Sequence, residues 1–474
     1  MDPRYHFHRK TGEMNDPNGM MYTTTSGGQV TYHMHFQSQG GEKPGRCSHG
    51  NNGAHTWGHA TSTDLIHWVE RNVTCIVSSS GGGIALDAGA LGNFTAAALG
   101  SAPTADGPGT KVGLELWLND DPDLLKPWTV HDDGLGCYGT TTKAGAVVCP
   151  SMVPPELHAG YIGDNYVWQE GRPGNRTYYV LSGSTVCDAD KPWCGYPHGH
   201  TPMALLFSSK DLLHWKFSSV FWSGQPVKPL PGDDRLDVPD TFSLPDGRQA
   251  FIWLTGGYSV WAVGTFDRLS ERFTPHLEGA FDTGKLFCQQ SLWMAGERPR
   301  RVSLGWVRST PYATQSLARE ISHTPNGGLL FSPLRELETL QIQTIGDYHG
   351  PLPAVPSPLA SGVQVRVTLN VTIAAHDATG FAAITVWGDL KTTITLRCTD
   401  RTWMLEVDGQ TLTYPGVSTD TTTMDIFLDG SIAEVFAGGV VHTLAARGTP
   451  SSDGISVHGA NASASVRAWS MSSI

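Results

Sequence analysis

The chain has 474 residues, a formal charge of −12, fifteen tryptophans and eight cysteines. Its length exceeds one ordinary hydrophobic core and sets an expectation of two or three domains. The acidic balance excludes a partner bound by phosphate neutralisation, so no nucleic acid is expected, and no apolar run is long enough to span a membrane.

Near the start, His6-Phe-His8 is followed by Met14-Asn-Asp-Pro-Asn-Gly19, which sets a carboxylate, Asp16, beside residues that constrain the backbone. Pro17 fixes its own φ and biases Asp16 toward an extended conformation, and Asn18-Gly19 signals a turn, so Asp16 is expected at a strand end next to a turn. His6-x-His8 and His33-x-His35 each place two imidazoles on one strand face, yet strand histidines usually only hydrogen-bond, and no metal site is expected. Gly81-Gly-Gly83 precedes neither a helix nor a lysine and reads as a flexible loop rather than a phosphate cradle. No Gly-x-Ser-x-Gly elbow supports a Ser/His/Asp triad.

Short β-rich runs punctuated by Gly, Pro, Asp and Asn continue to about residue 336: Val30–Phe36, Thr177–Leu181, Ala204–Phe207, Gln249–Leu254 and Ser259–Gly264. Their spacing fits propeller blades, and Ser62-Thr-Asp-Leu-Ile-His-Trp68 is echoed by Ser209-Lys-Asp-Leu-Leu-His-Trp215, an internal repeat of the kind such arrays carry. A stretch rich in Pro and Gly (350–358) then leads to further strands at Val363–Ile373, Phe381–Trp387, Thr392–Arg397 and Met424–Leu428, whose spacing suits a two-sheet sandwich. The expected organisation is all-β: a propeller over residues 1–336 and a sandwich over 337–474. Five sequons, at Asn72, Asn93, Asn175, Asn370 and Asn461, use five of the twelve asparagines and predict a secreted, glycosylated chain. Cys187 and Cys194 bracket a loop short enough to close as a disulfide, while the other six cysteines allow no pairing to be read.

Taken together, Met14–Gly19, Gln37, Trp57-Gly-His-Ala60, Trp261–Asp267, Asp282-Thr-Gly-Lys285, Leu304-Gly-Trp306, Gln315–Glu320 and Asp429–Phe436 make the chain resemble glycoside hydrolase family 32, the β-fructofuranosidases. The resemblance implies a five-bladed β-propeller followed by a β-sandwich. It also implies cofactor-free cleavage of terminal β-fructofuranosyl linkages in sucrose or fructo-oligosaccharides, with retention. In such enzymes a nucleophile and an acid/base lie about 5–5.5 Å apart across the bond. On this pattern Asp16 is the nucleophile, Asp237 of Asp237-Val-Pro-Asp240 the acid/base, and Asp164 of Ile162-Gly-Asp-Asn-Tyr166 the carboxylate that holds fructose hydroxyls. Asn15, Gln37 and Trp57 complete the fructosyl subsite. Asp429, Ser431 and Glu434 read as sandwich scaffolding.

The chain departs from the family pattern where the sugar would lie. Asp237 replaces Glu, Gly163 replaces Arg, Asn165 replaces Pro and Glu13 replaces Trp; a tryptophan expected in 46–56 is missing, and Leu91-Gly-Asn-Phe94 stands for Phe-Ser-Gly-Ser. Losing the arginine at 163 removes a cation beside the acid/base, a change that raises a carboxyl pKa. The alternatives are therefore a catalytically silent sugar-binding relative or a fructosyltransferase on the same fold. The oligomeric state is left open.

Overall fold

A computed structural model describes residues 3–10, 12–25, 27–39, 56–71, 74–101, 113–131, 146–191, 194, 199–225, 235–296, 298–308, 313–373, 379–386, 392–400, 402–414, 419–445 and 454–474. Among the described residues there are strands and three short 3-10 turns, and no helix is long and apolar enough to cross a membrane. The protein is all-β. Its contacts divide it into two compact units, a larger one of Arg9–Gly279 with Phe287–Trp306 and a smaller one of Met1–His8, Ala280–Leu286 and Val307–Ile474.

The larger unit is a succession of antiparallel sheets in which consecutive strands pair. The first contains β1 (Glu13–Thr24), β2 (Val30–Gln39), β3 (Thr56–Ser62) and β4 (Val69–Glu70). The second contains β5 (Gly81–Ala85), β6 (Ala96–Ser101), β7 (Leu114–Asn119), β8 (Thr129–Val130) and β9 (Ala146–Val148). The third holds β10 (Gly163–Arg172), β11 (Asn175–Val186), β12 (Thr201–Ser209) and β13 (Trp215–Ser223), and the fourth β14 (Asp237–Ser243), β15 (Gln249–Thr255), β16 (Tyr258–Asp267) and β17 (Arg272–Asp282). A further pair follows, β18 (Leu286–Met294) and β19 (Arg300–Val307).

Apolar side chains from neighbouring sheets fill the spaces between them. Leu99, Leu116 and Leu118 of the second sheet pack with Val180, Leu205 and Phe207 of the third, and Leu181, Leu206 and Phe221 of the third with Phe251 and Trp253 of the fourth. Each such side chain contributes about 1.5–3 kcal/mol when fully buried. The repeated Ser-x-Asp-Leu-x-His-Trp segments are two copies of one turn, between β3 and β4 and between β12 and β13. Asp64 Oδ1 accepts from His67 N at 2.8 Å, as Asp211 Oδ1 does from His214 N at 2.8 Å, and Trp68 and Trp215 donate their indole N–H to Leu65 O and Leu212 O.

Two local expectations are corrected. Asn18-Gly19 is no turn: β1 runs through it to Thr24, and the proline is tolerated because β1 is the first, edge position of its sheet. Gly81-Gly-Gly83 is not a flexible loop but strand β5. Its neighbours leave no room for side chains, since a Cβ on Gly81 would lie 2.2 Å from Leu99 O and one on Gly82 2.7 Å from Val167 N. Glycine is chosen here for close backbone approach rather than for freedom.

The smaller unit contains two six-stranded antiparallel sheets. One runs in the order 341–351, 462–471, 364–373, 421–429, 432–437, 440–445, the other 357–360, 455–460, 381–386, 392–399, 402–407, 410–413. Val365, Val367, Leu369, Ile384, Leu396, Trp403, Ile426 and Val435 form its core. A fully buried ion network also lies in this unit: Arg319 Nη2 meets Glu434 Oε2 at 2.7 Å and Nη1 meets Asp282 Oδ2 at 2.8 Å, while His6 bridges Asp429 (2.9 Å) and Glu434 (3.1 Å). Burial opposes charge on His6, but the two carboxylates outweigh it and raise its pKa to about 9. Asp429 and Glu434 are thus structural, and Ser431 is buried in the turn between their strands.

Cys187 and Cys194 form the disulfide expected from their spacing, with Cα atoms 5.9 Å apart. Cys47 and Cys137, together with Asn72 and all but Thr56 of the 46–56 segment, lie outside the described residues.

Candidate active site

Three carboxylates lie at bulges near the starts of the first strands of three sheets. In the first sheet, Met14 pairs with Ser38 and Pro17 with Phe36, so Asn15 and Asp16 together oppose Gln37. In the third, Gly163 pairs with Gly183 and Asn165 with Ser182, which leaves Asp164 as an extra residue at φ +24°. In the fourth, Asp237 pairs with Leu254 and Asp240 with Ile252, with Val238 at φ +42° in the bulge between. Bulges re-aim side chains, and positive φ at a residue other than glycine costs about 1–3 kcal/mol, a strain that gathers at functional sites.

The first bulge delivers Asp16 to a short polar network. Asp16 is buried, and its Oδ2 accepts from Ser80 Oγ at 2.6 Å and from Gln37 Nε2 at 3.3 Å. Gln37 Nε2 also donates to Ser80 Oγ at 2.7 Å, so the three side chains form a closed triangle. Asn15 is half-buried at the same bulge. Trp57 is fully buried beneath, its indole N–H donated to Ser79 O at 2.8 Å, which steadies the backbone that carries Ser80. Asn18 and Asn165 tie neighbouring first strands together by accepting from Gly81 N (3.2 Å) and Gly82 N (3.1 Å).

Ser80 also links the first carboxylate to the second, since its backbone N–H donates to Asp164. Burial, then the negative fields of Asp237 and Asp16, raise the Asp164 pKa well above the usual carboxylate range. Like charges this close oppose one another's ionisation, and burial adds to that on Asp164. The buried Cys288 thiol of β18 donates to Asp16, and burial together with the fields of all three carboxylates keeps it protonated.

Asp237 has its own partners. Tyr161 Oη lies 3.0 Å from Asp237 Oδ1 and 2.9 Å from Leu236 O, and Arg235 Nη1 lies 3.9 Å from Asp237 Oδ2. Further along β14, buried Asp240 is held by Arg301 (3.1 Å), whose guanidinium stacks 4.5 Å from the Phe242 ring and also donates to Tyr166 Oη at 2.8 Å.

The sequence-derived acids Asp16, Asp164 and Asp237 therefore share one electrostatic environment, with Gln37 and Asn15 beside the first of them. Sequence reasoning missed Ser80, Cys288, Tyr161 and Arg235. None sits in a motif, and only their convergence from four separate segments reveals them. Of the paired histidines, His6 belongs to the ion network described above. His33 and His35 stack with His59 between β2 and β3, with ring centroids 5.3 and 4.7 Å from His59, and His33 Nδ1 lies 3.0 Å from His59 Nε2. Burial and neighbouring positive charge depress His33 to about 3, burial depresses His35 to about 4, and burial with the adjacent imidazoles lowers His59 well below its ordinary value.

Comparisons with known proteins find similarity to carbohydrate-cleaving enzymes. The family model "Glycosyl hydrolases family 32 N-terminal domain" matches residues 6–82. The sucrose-6-phosphate hydrolase of Klebsiella pneumoniae is 25% identical over 411 residues, covering 78% of this chain and 75% of that protein. Among solved structures, a Bombyx mori GH32 beta-fructofuranosidase matches with TM-score 0.72 at 19% identity over 100% of this chain and 94% of its own. Fructan 1-exohydrolase IIa from Cichorium intybus in complex with 1-kestose matches with TM-score 0.74 at 18% identity over 100% and 98%. Residues 6–82 thus match the N-terminal domain of glycoside hydrolase family 32, and the chain is similar to sucrose-6-phosphate hydrolases over most of its length.

Proposed function

We propose that the protein is a retaining β-fructofuranosidase that removes terminal fructosyl units from sucrose or fructo-oligosaccharides. The carrying observation is the shared field of Asp16, Asp164 and Asp237, delivered by three strand bulges. The succession of sheets in the larger unit and the two six-stranded sheets of the smaller one support a reading as a five-bladed propeller over 1–336 followed by a sandwich over 337–474.

In this reading Asp16 attacks the anomeric carbon of the fructosyl unit. The Ser80 and Gln37 donors fix its Oδ2 and aim the carboxylate. Asp237 gives its proton to the departing glycosidic oxygen, then takes one from the water that releases fructose from Asp16. Asp164, Asn15 and Gln37 hold sugar hydroxyls, and Trp57 supports them from below.

The exposure of Asn93, Asn175, Asn370 and Asn461, all sequon asparagines, supports passage through a secretory pathway. A silent sugar-binding relative is the second reading, favoured by the shorter Asp237 and by Gly163 in place of arginine.

Fructose release from sucrose, 1-kestose and inulin by the wild type, Asp16→Asn and Asp237→Asn tests the proposal. Activity in the wild type should vanish in Asp16→Asn and fall about 10²–10⁴-fold in Asp237→Asn. Sugar binding without release by the wild type would overturn the enzyme reading in favour of the silent one.

A further inference from the structure

We propose that Tyr161 and Arg235 form a positioning pair for Asp237, substituting jointly for the arginine that the family pattern carries at position 163. This rests on the reading of Asp237 as acid/base and adds to it the groups that set its behaviour.

The first argument is one of volume. A Cβ built on Gly163 would lie 3.3 Å from Tyr161 Cδ2, a tight contact with a ring that has little freedom to yield, and 3.6 Å from its Cε2. Tyr161 is buried, its backbone carbonyl accepts from Ser184 Oγ at 2.7 Å, and its hydroxyl lies between Leu236 O and Asp237 Oδ1. Ser182 Oγ likewise holds the Gly163 carbonyl at 2.7 Å. A side chain at 163 would start against the Tyr161 ring, and the glycine leaves that ring its place.

The second argument is one of charge. Asp237 faces Arg235 on its own segment, Tyr161 on the approach to β10, Asp164 on β10 and Cys288 on β18. Of these only Arg235 carries positive charge. Its guanidinium addresses Oδ2 while the tyrosine hydroxyl addresses Oδ1, so each oxygen has its own partner. The two side chains are 14% and 12% exposed, so solvent screens the pair weakly. An adjacent cation favours the ionised carboxylate. The hydroxyl fixes the rotation of the carboxyl group. It can accept the Asp237 proton's hydrogen bond while donating to Leu236 O, or donate to Asp237 once that proton has left. Both states of an acid/base are thus accommodated without movement of the ring.

The test compares pH profiles of kcat/KM for fructose release from sucrose and 1-kestose in the wild type, Arg235→Gln, Arg235→Lys and Tyr161→Phe. The basic limb should move up by about one pH unit in Arg235→Gln and stay in place in Arg235→Lys. Tyr161→Phe should lower kcat about ten-fold with little change in KM. A uniform fall in rate with an unmoved limb in Arg235→Gln would overturn the pairing while leaving the function intact. Titration of the Asp237 carboxyl by ¹³C NMR, assigned by its loss in Asp237→Asn, reads the same shift without turnover. A wild type that releases no fructose would remove the proposed function, and the ¹³C shift in Arg235→Gln, about one unit upward or none, would still sustain or overturn the pairing.

Discussion

Acidification from pH 7 to pH 5 should destabilise the protein through the buried imidazole stack of β2 and β3. His33 and His35 hold folded pKa values of about 3 and about 4, below the ordinary 6.5. The unfolded chain therefore binds protons that the folded chain refuses, and stability is lost as pH falls below 6.5 toward those values. For a histidine that stays neutral in the fold, the drop from pH 7 to pH 5 costs about 2 kcal/mol, so the two contribute about 4 and His59 up to about 2 more. Urea unfolding followed by tryptophan fluorescence reads the loss, with Trp57 and Trp128 lying 5.8 and 5.5 Å from the His35 ring. His35→Phe keeps an aromatic ring in the stack and removes one titrating group. The loss of stability between pH 7 and pH 5 should shrink by about 2 kcal/mol in that variant. An identical pH dependence in variant and wild type would refute the assignment of acid sensitivity to this stack.

The opposite pH edge belongs to the smaller unit. His6 is raised to about 9, so its contribution is fully present below 6.5 and is lost as pH rises through 9, an effect of about 3 kcal/mol that His6→Gln should abolish in denaturation measured at pH 6 and pH 10. Ser80→Ala removes the hydroxyl that donates to Asp16 and leaves the backbone donor to Asp164 in place. A hydrogen bond to a charged group is worth about 1.5–3 kcal/mol, so kcat for fructose release should fall about 10–100-fold with the fold intact by circular dichroism. Gly82→Ala puts a methyl 2.7 Å from Val167 N and should cost about 1–3 kcal/mol in urea unfolding, whereas a flexible loop there would lose almost nothing.

Much of the fold was legible because strand periodicity is local. Gln249–Leu254 and Met424–Leu428 sit inside observed strands, and the Ser-x-Asp-Leu-x-His-Trp echo folds into one turn twice. Errors arose where local chemistry and tertiary crowding disagree. Asn18-Gly19 has turn composition, but β2 pairs with it as strand, and the mismatch is absorbed in bulges. Gly81–Gly83 has the composition of a loop because neighbouring backbones and side chains occupy the volume that larger residues would need. In the candidate site Asp16 could be read from its own short motif, and Asp164 and Asp237 only from the resemblance to the family pattern. Ser80, Tyr161, Arg235 and Cys288 could not, because their meaning lies in distances between sheets.

The three bulges have an evolutionary consequence. Each carboxylate stands at a local irregularity in the pairing of its own first strand. One acid can then be advanced, retracted or rotated by a change of one residue or one dihedral, without moving the other two. Reach becomes adjustable in backbone steps as well as side-chain methylenes. In such a scaffold the exchange of a glutamate for an aspartate at 237 is a change of gearing that can be matched next door, and the unit of inheritance is the bulge together with its acid.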